Sequence, residues 1–563
     1  MKGRIFMKKR FLSVLSASAL TACVLSSCSS TAPDGSLNGG NAEGSYYPQT
    51  TAAQTYHETI RNDNYGPEEA VAADEPFSGS SNEPSEDIIP ESSAYSEEYT
   101  EITEKGYISV KDEPLSTFSA DVDTASYTRL RRMIKENGYV DPSAVRIEEM
   151  INYFSYDYPN SDDGTPFSVT TELSDCPWNI ETKLLSVGIK ANEPENDRPG
   201  SNIVFLLDVS GSMYSSDKLP LVQQAFALLA EGLTENDRVS IVTYAGADDV
   251  VLEGVSGNNT RQICEAIFDL EAGGATAGAA GIMTAYEIAE EYYIDGGINR
   301  VILATDGDLN VGLSSVDELT ELIEKERDSG VFLSVLGFGT GNYKDNRLEA
   351  LADNGNGSYS YIDSIDEAEK VLVEELNATL VTVAKDVKFQ LEFNPANVSG
   401  YRLIGYENRA LAPEDFNDDK KDAGEIGAGH TVTALYEIVP ADSDFNMGGV
   451  PELKYQPAET EAVTSEPVLT DELLTVNIRY KEPDGSKSKL ISHPVYNADY
   501  TDSPSADFNF EAAVTEFGML LRDSSYAGTS SAKQIFDLLD KSNISGDKYK
   551  EEFRDLVSIS EIG

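Results

Sequence analysis

The sequence predicts an α/β fold: a doubly wound, mostly parallel sheet, inserted in or flanked by a β-sandwich-like region, with C-terminal helices and a disordered N-terminal tether. Three observations carry this. Between about residues 201 and 380, short continuous apolar runs alternate with helical stretches, the pattern of parallel strands covered on both faces. On either side of that block apolar residues recur with period two, as in half-buried strands. Residues 29–105 carry 16 acids and two bases (Arg61 and Lys105) among Ser, Thr, Pro and Gly, too little apolar surface to offset the entropy of ordering.

Composition removes several function classes. The 563 residues hold 98 acids against 42 bases, a formal charge of -56. That sign opposes nucleic acid and anionic lipid as charge partners. Of the three histidines, His57, His430 and His493, none falls within 201–380, so a multi-His metal site is excluded there. The four cysteines include no C-x-x-C pair, which excludes a zinc ribbon and a disulfide-dense scaffold.

The chain opens with Lys2, Arg4, Lys8, Lys9 and Arg10, followed by an apolar stretch from Phe11 to Leu25, the layout of a secretory signal peptide. Leu25-Ser26-Ser27-Cys28 resembles a bacterial lipobox with Cys28 as the lipidated residue. Leu20-Thr21-Ala22-Cys23 is a competing match, and an uncleaved membrane helix is the other alternative, although the run is shorter than the ~20 residues of a span. Cleavage before Cys28 takes the charge from -56 to -61 and leaves the protein extracytoplasmic and lipid-anchored to a bacterial membrane.

The segments then read as signal peptide 1–27, tether 28–110, N-terminal flank 111–200, α/β domain 201–380, β-rich flank 381–505 and C-terminal helical segment 506–563. In the first flank, Asp123-Thr124 reads as a cap before Tyr127, Leu130, Met133 and Ile134, and Asp141-Pro142-Ser143 as a second helix start. Strand-like runs follow at 167–173 and 184–189. In the central domain, strands are predicted at 203–207, 239–244, 250–252, 301–304, 331–336 and 359–362, and helices at 219–233, 260–270, 279–293, 316–327 and 365–380. Alternating strands follow at 387–393, 431–439, 473–480 and 489–495, then helices at 507–522, 531–541 and 547–557. Neither strand group suffices alone, since an isolated hairpin is marginal in water. Pairing the two groups into one sandwich, with the α/β domain inserted between them, resolves both.

Three features fall at the carboxyl ends of central strands, where open α/β sheets bind ligands. Asp208-Val209-Ser210-Gly211-Ser212 follows the 203–207 run, Thr276 lies in Gly273-Gly274-Ala275-Thr276, and Asp306 follows Val301–Ala304. Two carboxylates and three hydroxyls form a hard-oxygen donor set, suited to Mg²⁺, with Mn²⁺ or Ca²⁺ as alternatives. So few charges leave a divalent ion receptive to an outside carboxylate. The bland reading of each Ser and Thr is turn or cap hydrogen bonding.

These residues carry a family resemblance. The strings FLLDVSGSM, GGATAGAAG and LATDGDLNVG make residues 201–380 resemble a von Willebrand factor type A (VWA) domain with a metal-ion-dependent adhesion site. PLSTFSADVDTASYTRLRRM, VRIEEMINYF, KDVKFQLEFNP and YRLIGYENRAL resemble the flanks of bacterial YfbK-type lipoproteins, extending the likeness to roughly 112–560. The resemblance implies an adhesion-type fold and a divalent metal. Ala275 stands where relatives often have a second hydroxyl. A calcium-activated chloride channel label on some relatives finds no support, since beyond the leader no apolar run is long enough to span a bilayer.

Other motifs carry less. Asp415, Asn417 and Asp419 begin like a calcium loop, but Lys420 replaces the required Gly and Ile426 the required Glu, so a solvated acidic loop is expected. Arg129, Arg131 and Arg132 read as a helix face, Trp178 as a packing anchor and Cys264 as a small core residue. The function expected is non-enzymatic: binding of a protein partner whose Asp or Glu carboxylate completes the metal's coordination. The alternatives are a metal-dependent hydrolase, for which no general base can be named, and a scaffold whose metal only supports folding.

Overall fold

The computed structural model describes Tyr99 and residues 102–562, apart from 163, 194–197, 275–277, 308–315, 341–344, 422, 448–469, 484 and 561. The leader, Cys23, Cys28, nearly all of the tether and Thr276 lie outside the described residues.

The chain lays down strands β1 (Ile108–Ser109) and β2 (Leu115–Ser119), then helix α1 (Ala125–Asn137), a 3₁₀ turn at Pro142–Ala144 and the short helix α2 (Ile147–Asn152). Two strands thus precede the helices that the sequence places first. Asp141 does cap, but only the 3₁₀ turn, accepting from the Ser143 amide at 2.9 Å. Thr124 stands at the N-cap of α1 without a side-chain cap bond. Its neighbour Asp123 is engaged elsewhere, by the Tyr359 amide and Arg409. A hairpin of β3 (Phe167–Asp175) and β4 (Lys183–Ala191) ends the flank.

The inserted domain begins with β5 (Ser201–Asp208), every residue of which is buried, and continues through α3 (Leu219–Glu231), β6 (Arg238–Tyr244) and β7 (Asp248–Ser256). Then come α4 (Thr260–Phe268), α5 (Gly278–Glu291), β8 (Ile298–Thr305), α6 (Val316–Asp328), β9 (Phe332–Phe338), α7 (Asp345–Asn354) and β10 (Tyr359–Ile362). The helix expected at 365–380 is broken into α8 (Ile365–Glu369), a π turn at Lys370–Glu374 and α9 (Leu376–Leu380). The strand order is β10-β9-β8-β5-β6-β7, parallel throughout except for the antiparallel edge strand β7. Apolar side chains of β5 alternate between two cores, Phe205 and Leu207 facing α3, and Val204 and Leu206 facing α5. This is why its sequence is a continuous apolar run.

The return segment supplies β11 (Thr382–Phe393), β12 (Val398–Ile404), β13 (Gly424–Gly427), β14 (Thr431–Pro440), β15 (Glu472–Lys481) and β16 (Lys489–Tyr496). Helices α10 (Ala506–Arg522), α11 (Ala532–Leu539) and α12 (Lys548–Ile559) follow, capped by the side chains of Ser505, Ser531 and Asp547.

The strands before and after the insert share sheets. One sheet runs β1-β12-β14-β4-β3, and the other β13-β11-β15-β16 with β2 also on β11. Lys190 of β4 lies opposite Thr431 of β14, and Phe118 of β2 opposite Phe389 of β11 with the rings stacked at 4.9 Å. Phe118, Val187, Phe389, Phe393, Tyr401 and Tyr436 fill the space between the sheets. The insert therefore leaves from β4 in one sheet and returns to β11 in the other. The outer face of the first sheet, through Leu184, Ile404 and Leu435, packs on α1, α2 and the C-terminal helices, with Trp178 buried among them.

The arginines of α1 share a helix, with Arg129 and Arg131 buried and Arg132 half-buried. Arg129 pairs with Asp345 at 2.5 Å, Arg131 with Asp363, Glu367 and Glu552, and Arg132 reaches the Tyr361 hydroxyl. They bind the flank to the inserted domain. Cys176 is buried and Cys264 half-buried, both as free thiols. Among the described residues, no helix is long and apolar enough to cross a membrane.

Candidate metal centre

Strands β5 and β8 are neighbours in the sheet, and the chain runs outward from them in opposite directions, to β6 and to β9. This is a topological switch point, where diverging loops leave a crevice beyond the strand ends. Asp208 is the last residue of β5 and Asp306 follows the last residue of β8.

The geometry around Asp208 is closed on the protein side. Its Oδ1 accepts from the Ser210 amide at 2.9 Å, and its Oδ2 from the Thr305 hydroxyl at 3.2 Å. A 3₁₀ turn at Gly211–Tyr214 follows, with Met213 buried beneath it. The turn brings the Ser210 and Ser212 hydroxyl oxygens to 3.0 Å. Ser212 is exposed, and Tyr214 beside it is 83% exposed. Thr276 lies outside the described residues, but the loop leading to it is fixed. The Gly273 amide donates to the Val209 carbonyl at 2.7 Å, and the Gly211 amide to the Gly274 carbonyl at 3.1 Å. Gly274 has φ +85°, a left-handed conformation that glycine adopts without strain.

Burial pushes the Asp208 carboxyl up to about 6; the Asp306 charge pushes the same way, and hydrogen bonds from Ser210 oppose. Tyr244, at the end of β6, lies against Asp208, and burial holds its phenol well above its ordinary range. Lys218, just before α3, donates from Nζ to Asp306 Oδ2 at 2.8 Å. The structure thus brings together Asp208, Ser210 and Ser212 and sets Asp306 close enough to act on Asp208. The sequence reading misses Thr305, Tyr244 and Lys218. Thr305 and Tyr244 could have been found as strand-end residues beside the motif, whereas nothing in the local sequence singles out Lys218.

The donor set fits a hard divalent cation in kind. Oxygen is the only donor element, and a nearby cation would favour the ionised form of a carboxylate that burial disfavours. Among the described residues, no three His, Cys, Asp or Glu side chains group so as to hold a metal. An ion here would draw on the Ser and Thr hydroxyls as well as the two carboxylates. The Asp415–Asp419 loop has other partners: Arg479 donates to Asn417 at 3.1 Å and to Asp419 at 2.9 Å.

Comparison with known proteins gives the family. Residues 202–375 match the family model for the von Willebrand factor type A domain, 93–186 one described as von Willebrand factor, and 378–562 that of the C-terminal region of uncharacterized protein YfbK. Over 434 residues the chain is 44% identical to uncharacterized protein YfbK of Escherichia coli (strain K12), covering 76% of this chain and 74% of that one. The chain belongs to the YfbK family. More distant similarity reaches inter-alpha-trypsin inhibitor heavy chain H3 of Bos taurus, 28% identical over 166 residues, or 28% of this chain and 18% of that one. A solved structure, von Willebrand factor type A from Catenulispora acidiphila, aligns over 71% of this chain and 91% of that chain at 17% identity and a TM-score of 0.40. For this YfbK-family chain, the VWA domain points to protein–protein interaction or adhesion as the class of function.

Proposed function

We propose that this protein is a lipid-anchored surface protein that binds a protein partner through a divalent cation, Mg²⁺ by preference. Asp208, Ser210, Ser212, Thr276 and Asp306 would hold the ion, and an Asp or Glu carboxylate of the partner would complete its coordination. One observation carries the reading. The buried Asp208 stands at the switch point with the Ser210 and Ser212 hydroxyls at 3.0 Å from each other and Ser212 open to solvent. Five donors of which only two are charged leave an octahedral ion one open position, which an external carboxylate can fill. Tyr214, exposed next to Ser212, offers an aromatic contact to whatever carries that anion.

Binding is favoured over catalysis by the residue inventory. Hydrolysis needs a general base free to take a proton. Both carboxylates at the centre are committed as ligands, and residues 201–380 contain no histidine. Lipid attachment at Cys28 rests on the lipobox and would place the domain outside the cytoplasm. Capture of partners from an envelope extract by the full chain tests the reading, with and without EDTA and with Asp208→Ala as control. Capture should disappear in EDTA and in the variant. Equal capture in all three would remove the metal from the interaction.

A further inference from the structure

We propose that Lys218 is a resident cation of the metal centre, competing with the divalent ion for Asp306 and thereby setting how tightly that ion is held. The proposal rests on the metal reading above. The Lys218 ammonium lies 2.8 Å from Asp306 Oδ2, and the two side chains are only 13% and 3% exposed. A lysine serving only as surface charge would extend into water. This one is turned inward to a residue of the predicted ligand set.

The way the side chain is held supports a built device. Lys218 sits at the N-terminus of α3, where its carbonyl accepts from the Leu221 and Val222 amides, both at 2.9 Å. Its aliphatic stem then crosses Gly339, beyond the end of β9. A Cβ at Gly339 would come within 2.4 Å of Lys218 Cγ and 2.5 Å of Cε. Gly339 also has φ +73°, so both its conformation and its missing side chain keep this passage clear. The Gly339 carbonyl is pinned in turn, by the Tyr361 hydroxyl at 2.7 Å and by Arg132 of α1 at 3.3 Å. The ammonium is therefore delivered to Asp306 from a fixed base along a fixed path.

Electrostatics gives the consequence. An ammonium and a divalent ion drawing on one buried carboxylate repel each other across a few ångströms of poorly screened space. Uptake of the ion must then displace the ammonium or weaken its bond to Asp306. Removing the charge while keeping the stem should tighten metal binding. If the lysine merely holds Asp306 in position, removal should weaken it.

The test is calorimetric titration of the full chain with MgCl₂ alone and MnCl₂ alone. Wild type is compared with Lys218→Met, Lys218→Gln and Lys218→Arg, with Asp208→Ala defining the site. The Met and Gln variants should bind at least about tenfold more tightly, and the Arg variant should stay within about threefold of wild type. Melting in EDTA provides a second readout: Lys218→Met should melt below wild type without metal and show the larger rise when Mg²⁺ is added. If wild type binds in an Asp208-dependent way and both neutral variants bind equally or less tightly, the competition is refuted while the metal reading stands. If neither wild type nor the neutral variants take up either ion, both fail together.

Discussion

The backbone amide of Tyr359, on the edge strand β10, donates to Asp123 Oδ1 at 2.8 Å, so a carboxylate from the N-terminal flank ends the hydrogen-bonding edge of the inserted sheet. The other oxygen of Asp123 accepts from Arg409 at 2.8 Å, and Arg409 also reaches Asp353 of α7 at 2.7 Å. One arginine from the loop after β12 thus joins the flank, the insert and the sandwich. Burial raises the carboxyls of Asp123 and Glu349, and Arg409 is among the charges that pull each back.

Arg409→Met should therefore destabilise the whole ordered unit, by about 3–5 kcal/mol, because it leaves buried carboxylates uncompensated. The loss should shrink as pH falls, because protonation relieves the repulsion between those carboxylates. Urea unfolding of wild type and variant at pH 5 and pH 8 measures both effects. Equal loss at the two pH values would mean that the contribution is packing alone.

Mg²⁺ should raise the melting temperature of the full chain by mass action, by about 2.7 kcal/mol of stability at a hundred times its dissociation constant. Asp208→Ala should abolish the rise. Ser215→Ala should not, since Ser215 is exposed and bonded to Asp217. Differential scanning fluorimetry over a magnesium series reads the difference. An equal rise in wild type and Asp208→Ala would put the ion elsewhere.

Glu516 of α10 is fully buried, and burial pushes its carboxyl up to about 8. Between its unfolded value and 8 the folded state holds the extra proton. Its contribution is thus complete below about 4.5 and lost as pH rises through 8. Glu516→Gln should be more stable than wild type at pH 8–9, on the order of 2–4 kcal/mol, and the gap should close by pH 5. Thermal melts across that range decide it; a gap independent of pH would contradict the assignment.

Cys28→Ala should prevent lipid modification and release the protein from the membrane fraction. Mass spectrometry of the mature N-terminus provides the check, and a lipidated Cys23 there would move the attachment point.

Legibility in the sequence follows burial type. Strands β5 and β8 are readable because both faces are covered by apolar neighbours, and the site is readable because its carboxylates directly follow those runs. Helix α7 is not, because Asp345 and Glu349 are buried against Arg129 and Arg146, filling with charge positions that periodicity assigns to apolar residues. Strand β12 is hidden the same way by Arg402, buried on Glu437 of β14. Strand β2 is hidden by Ser116 and Thr117, which are buried but bonded to Tyr436 at 2.9 Å and Gln390 at 3.0 Å. Polar groups satisfied inside the fold look like surface in the sequence. Lys218 is illegible for another reason, since its path depends on Gly339, which only the folded sheet brings beside it.

The pairing of β4 with β14 has a consequence for how the chain is made. Lys190 and Thr431, opposite each other in the ladder, are about 240 residues apart in sequence. Emerging N-terminus first, β3 and β4 appear well before the neighbour that completes their sheet. The inserted domain has mostly local, parallel βα connections and can fold during that interval. Until β14 arrives, the hairpin presents an unsatisfied edge, the kind of surface on which chains aggregate. Assembly of the sandwich, rather than of the inserted α/β domain, is then the step at which this protein depends on protection during its production.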